Sequence, residues 1–157
     1  MVRTPPFHGG DLGSSPGRDA LYIMEIDLTA ISQLAEKSLE CHYRRGGAPA
    51  IEHSIEVAQR VKGDTLAEAV ALLHDVLEDT DLTGEDLLWS GVPVEVVSSV
   101  EVLTHPRWEP YKEYLHRVKK DPLATKVKIA DMLTNLSDDP TDRQIKKYAE
   151  GLLFLLN

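Results

Sequence analysis

Residues 72–87 read LLHDVLEDTDLTGEDL, with six carboxylates gathered around one imidazole, that of His74. The first half of the stretch continues an apolar spacing set by Leu66, Ala69, Val70 and Leu73 and carried on through Val76 and Leu77. That spacing predicts a helix over 65–79 whose apolar face is wide enough for the centre of a domain. Such a helix needs apolar partners on several sides, and the flanking sequence offers them as further helices.

Upstream, Ile31, Leu34, Ala35, Ser38 and Leu39 form one stripe behind an N-cap at Asp27 or Thr29, in a helix expected to end near RRGG at 44–47. Ile51, Ile55, Ala58 and Val61 repeat the pattern over 51–61, before a turn at Gly63 and Asp64. Downstream, Thr83 and Asp86 make a capping arrangement for a short helix, GEDLLWSG. Pro93 can open a helix through VEVVSSVEVLT, although its valines equally suit a strand. HPRWEP breaks the chain, YKEYLHRVKK is amphipathic, and Pro122 starts LATKVKIADMLTNLS. Ile145, Tyr148, Ala149, Leu152, Leu153 and Leu156 then form a last stripe expected to close the core. The fold class is all-α, a bundle of about seven or eight helices without internal repeats. Residues 1–23 are rich in Pro, Gly and Ser and read as a flexible extension, with 24–157 as the domain.

Composition bounds the function. With 26 acidic against 17 basic residues and a net charge of -9, the chain lacks the electrostatic footprint of a nucleic-acid binder, and a phosphorylated ligand needs local positive charge. Cys41 is the only cysteine, so neither an internal disulfide nor a cysteine-based zinc site is available, which suits a reducing cytoplasm. No apolar run approaches membrane-spanning length.

The chemistry-bearing residues fall on the helices. Glu78 and Asp79 follow His74 and Asp75 by four residues each, so both pairs project from neighbouring parts of one helical surface. Imidazole nitrogen and carboxylate oxygen suit divalent ions. His53, on another helix, and Asp131, in KIADMLTN, complete a proposed ligand set of His53, His74, Asp75 and Asp131. Taken singly, each residue has a plainer reading: His-Asp at a solvated helix end, a packed His53, and Asp131 as ion-pair partner of Lys128. Against this, Asp75 and Asp131 interrupt the apolar segments ALLHDVL and VKIADML, where an unpartnered carboxylate is costly and calls for a cation.

Three motifs in order, RRGGAPAIEHSIEVA, LLHDVLEDTDLT and VKIADMLTNL, span about residues 44 to 136. Together they resemble the HD-domain metal phosphohydrolases, and within them the (p)ppGpp hydrolase domain of the RelA/SpoT family, of the small stand-alone type. The resemblance implies an HD-domain helical bundle and a divalent cofactor, usually Mn2+, held by His53, His74, Asp75 and Asp131. It makes Glu78 and Asp79 the acid-base pair, with Glu78 first choice as base for metal-activated water and Asp79 for orientation or proton return. It places Arg44 beside the guanine base, Arg45 as the following basic residue and Asn135 at the ribose. Lys128, with Lys126, is a further candidate for phosphate, against the plainer reading of solvated lysines. His42, His105 and His116 receive structural or solvent roles.

The implied reaction is guanosine-3′,5′-bis(diphosphate) 3′-pyrophosphohydrolysis, with a phosphorylated nucleotide as partner, neither nucleic acid nor membrane, and the oligomeric state open. Ala50, Ser54 and Asp138 depart from the family pattern without removing a ligand, and Asp138 adds negative charge near the proposed ribose site. Two alternatives therefore stand beside it, an HD-domain hydrolase of another nucleotide or nucleoside phosphate and a noncatalytic nucleotide-sensing module.

Overall fold

A computed structural model describes residues 25–157; the proposed extension at 1–23 lies outside them. Among the described residues there are nine helical segments and no strand, only an isolated bridge between Tyr43 and Pro49. They are α1 (Leu28–Ser38), α2 (Ala50–Arg60), α3 (Thr65–Leu73), α4 (Val76–Asp79), α5 (Gly84–Trp89), α6 (Val94–Leu103), α7 (Tyr111–Val118), α8 (Pro122–Ser137) and α9 (Asp142–Leu156).

Helix α3 is the hub and packs against α1, α2, α6 and α8. Ala67, Ala69, Val70, Ala71 and Leu73 are fully buried, as the wide apolar face predicts, whereas Leu66 at its start is exposed. Three alanines among them let neighbouring helices approach on several sides at once. Leu73→Ala is expected to destabilise the domain by about 2–5 kcal/mol, because a fully enclosed site has little room to collapse. A urea titration with an unchanged slope would register the loss.

Local chemistry sets the helix ends. Asp27 accepts from the backbone N–H groups of Thr29 and Ala30, Thr83 and Asp86 form a reciprocal capping box, and Pro122 opens α8 behind Asp121, which accepts from Leu123 and Ala124. The valine-rich stretch is helical, since Val96, Val97 and Val100 all enter the core. No helix among the described residues is long and apolar enough to cross a membrane.

Two boundaries differ from the sequence expectation. Helix α1 stops at Ser38, well before RRGG. Cys41 takes a positive φ of 67°, and the chain folds back on itself through bonds of Arg44 N–H to Ala48 O and Ala50 N–H to His42 O, a loop that carries Arg44 back toward α8. The expected helix over 65–79 is broken at His74 and Asp75, which separate α3 from α4. The cause is local: His74 Nδ1 donates to Ala71 O at 2.7 Å, occupying the carbonyl that the Asp75 N–H would use in a continuous helix.

Helix α9 also corrects the expected core. Leu155 and Gly151 are buried, but Ile145, Leu153 and Leu156 of the apolar stripe are exposed. Gly151 permits the close approach: a Cβ there would lie 2.8 Å from Met132 Cε and 3.3 Å from the Tyr111 hydroxyl, so any larger residue would require the end of the Met132 side chain to move. That closure brings Lys147 and Tyr148 over the mouth of the site described next.

Candidate active site

The break between α3 and α4 creates the site. On a regular helix adjacent residues point about 100° apart and do not converge. With the helix interrupted, His74 Nε2 and Asp75 Oδ2 approach to 3.2 Å. From α2, His53 enters with its ring centroid 5.4 Å from that of His74. One donor atom each from His53, His74 and Asp75 lie within 4.8 Å of one another. Asp131, from α8, faces both rings, its Oδ1 2.9 Å from His53 Nε2 and 3.9 Å from His74 Nε2. The four residues proposed as ligands thus meet in one place, with three of them forming the tight cluster.

This donor set fits a divalent metal. Because Nδ1 of His74 donates to Ala71, its proton is held there and Nε2 is left as the lone-pair donor of the neutral ring. That Nε2 is buried and makes no well-formed hydrogen bond, although Asp75 Oδ2 stands 3.2 Å away. A buried polar atom without a partner is uncommon, and a cation would satisfy it. His53, His74 and Asp131 are themselves buried, and the cluster combines two imidazoles with two carboxylates.

The charges balance one another across the site. Without a cation in the cluster, burial disfavours the His74 imidazolium but Asp75 and Asp131 outweigh it and raise its pKa to about 9, so a metal would take the place of the proton on Nε2. Burial likewise opposes ionisation of Asp131, yet Lys128 and His53 hold its carboxyl well below the ordinary range. Lys128 Nζ lies 2.8 Å from Asp131 Oδ2, and this carboxylate keeps the buried ammonium protonated against its own desolvation. Asn135 donates to Asp131 Oδ1 at 2.6 Å, fixing the carboxylate from the next turn of α8.

The cluster opens into two adjoining cavities of about 280 and 300 Å3, which share Arg44, His53, Asp75 and Asp79. Together they have the size of a small-ligand site. Glu78 and Asp79, both exposed, line the first cavity with Lys128 and Asn135. Glu78 Oε2 accepts from the His105 N–H at 3.2 Å. The Asp79 carboxyl is pushed up by partial burial and by the charges of Asp75 and Glu78. Arg44 bridges to α8 through Asn135 Oδ1 at 2.9 Å and Asp138 Oδ2 at 2.6 Å. Arg45 lines only the second cavity, and Lys126 lies apart, paired with Asp64 at 2.7 Å.

Several lining residues escape a reading of the sequence. His105, set aside there as structural, stacks on Tyr114 with centroids 4.4 Å apart and faces the first cavity beside Tyr111, Lys147 and Tyr148. His42, similarly set aside, lines the second. A signal existed only for the tyrosines: Tyr111 and Tyr114 sit three apart in an amphipathic helix, which places them on one face.

No family model matches the chain. The arrangement of helices nevertheless defines a class: the chain has an HD-domain fold of the (p)ppGpp-hydrolase type. The solved structure that carries this assignment belongs to a metazoan ortholog of SpoT, described as hydrolysing ppGpp and playing a role in starvation responses. It superposes with a TM-score of 0.69 and 26% sequence identity, over 83% of this chain and 85% of that one.

Proposed function

We propose that this chain is a metal-dependent phosphohydrolase that removes the 3′-pyrophosphate from guanosine-3′,5′-bis(diphosphate), with Mn2+ as its metal and His53, His74, Asp75 and Asp131 as the ligands. The observation that carries the reading is the buried Nε2 of His74, without a well-formed hydrogen bond, inside a cluster of two imidazoles and two carboxylates, opening onto exposed acids. The likeness to a ppGpp-hydrolysing protein supports the choice of substrate. When bound, a divalent ion supplies Lewis-acid polarisation of the phosphoryl oxygens and lowers the pKa of neighbouring water.

The remaining steps belong to the chain's own residues. Arg44 and Asn135 orient the nucleoside, and Lys128 and Lys147 add positive charge at the cavity wall. Glu78 takes a proton from the attacking water, whose oxygen forms the new bond to the phosphorus attached to O3′. The bond from that phosphorus to O3′ breaks, pyrophosphate departs, and Asp79, whose raised pKa suits a proton carrier, gives its proton to O3′ and is restored by the proton that Glu78 took from water. The other product is guanosine 5′-diphosphate.

One observation favours a second reading. Arg44 is engaged by Asp138, so a substrate that grips this guanidinium must displace a carboxylate, and a different nucleoside phosphate could exploit the altered pocket. Purified protein assayed with Mn2+ and guanosine tetraphosphate, beside a panel of nucleoside mono-, di- and triphosphates, decides between them. Pyrophosphate release from guanosine tetraphosphate alone is the expected result. Turnover of another panel member without it selects the second reading, and no turnover with any divalent metal overturns both.

A further inference from the structure

Away from these residues, a cavity of about 420 Å3 lies between α7 and α9, within the range of small-ligand pockets. Leu115, Phe154 and the bare backbone of Gly151 give it apolar walls, and Lys112, Arg143 and Lys146 stand around it. Lys147 and Tyr111 form the partition from the catalytic cavity, since both residues line both spaces and the Lys147 ammonium sits 4.4 Å from the Tyr111 ring centroid. Four cations thus surround one groove, with Glu150 the single carboxylate on its wall.

In this chain the gathering is unusual. Acids outnumber bases 26 to 17, yet four basic residues and a single acidic one line this groove, and it is their convergence on one cavity, rather than the lack of an ion-pair partner that Lys37, Arg45, Lys62 and Lys120 share, that sets them apart. Among the described residues, Lys112, Arg143, Lys146 and Lys147 make no ion pair at all. Lys147 is pulled below its ordinary value first by burial and then by Lys128 of the catalytic cavity, with Arg143 of the groove adding a smaller repulsion. Clustered cations left unpaired despite a surplus of acid have the character of a receptor for an external polyanion.

The walls narrow the class. Inorganic phosphate or pyrophosphate would satisfy the cations but leave the apolar surface wet, while an apolar monoanion would answer one cation of four. Nucleic acid is opposed by a net charge of -9 and by the small size of the groove. A nucleoside polyphosphate matches both halves, its base against Leu115 and Phe154 and its phosphates among the cations. We propose that the groove between α7 and α9 is a binding site for a nucleoside polyphosphate, distinct from the catalytic cavity and adjoining it across Tyr111 and Lys147.

Lysine footprinting tests this without requiring turnover, so its outcome is independent of the hydrolase assignment. Full-length protein is acetylated with and without millimolar GTP, and modification of Lys112 and Lys146, neither of which lines the catalytic cavities, is read by peptide mass spectrometry. Several-fold protection of both lysines by GTP is expected, with much weaker protection by tripolyphosphate or by guanosine. Arg143→Glu should abolish the GTP effect at both positions. Absence of protection by GTP would overturn the proposal, as would equal protection by tripolyphosphate or protection that survives Arg143→Glu.

Discussion

Glu78→Gln is expected to lower kcat for pyrophosphate release by about 10²–10⁴-fold while leaving divalent-ion affinity intact, the loss typical of removing a positioned general base. The substitution is chosen for what it preserves. Glutamine has the same shape, and its carbonyl oxygen can still accept the His105 N–H that Glu78 Oε2 receives at 3.2 Å, so the chain segment after α6 keeps its anchor. Only the capacity to take a proton disappears. Steady-state kinetics beside a calorimetric Mn2+ titration separates the two effects. A variant that binds Mn2+ normally and retains full activity removes Glu78 from the mechanism. Asp79 then becomes the candidate base, because burial and its acidic neighbours already raise its proton affinity.

The helix that leads into Glu78 and Asp79 is only partly legible in the sequence. Apolar periodicity identifies α3 as the central helix because burial on several sides demands apolar residues around most of its circumference, and Val70 and Leu73 are indeed fully enclosed. The break at His74 and Asp75 leaves no such trace. It depends on one side chain capturing the carbonyl of Ala71 in competition with the backbone, a choice stabilised by the tertiary cluster around it. Asp75 and Asp131 stand out in the sequence because charge inside an apolar helix requires an explanation, and His53 and His74 join them through the ordered motifs they belong to. His105, Lys147 and Tyr148 do not, since an aromatic or basic residue on a half-exposed helix face is ordinary until the fold brings it over a cavity. The exposure of Ile145, Leu153 and Leu156 has a related origin: Gly151 lets a different side of α9 lie against Met132.

Asp131→Asn is expected to damage both the fold and the site, and the two effects can be pulled apart. Asp131 is the counter-ion of Lys128, whose ammonium lies 2.8 Å away with 17% of its side chain exposed. Neutralising one partner of a buried pair costs about 3–5 kcal/mol, because the remaining charge keeps its desolvation penalty without its attraction. The residual exposure of Lys128 places the expected loss near the lower end of that range. The carboxamide also has one acceptor oxygen where the carboxylate has two, so it cannot accept from both Lys128 and Asn135 as Asp131 does through its two oxygens. Lys128→Met in the same chain removes the orphaned charge, fills the space beside Tyr114 with a flexible apolar side chain, and should recover most of the stability. Recovery should stop there: if Asp131 is a ligand, Mn2+ affinity stays depressed in the double variant although its urea midpoint returns. A double variant that regains stability and Mn2+ affinity together would make Asp131 only the partner of Lys128, and would reduce the metal centre to His53, His74 and Asp75, the three residues whose donor atoms already lie within 4.8 Å of one another.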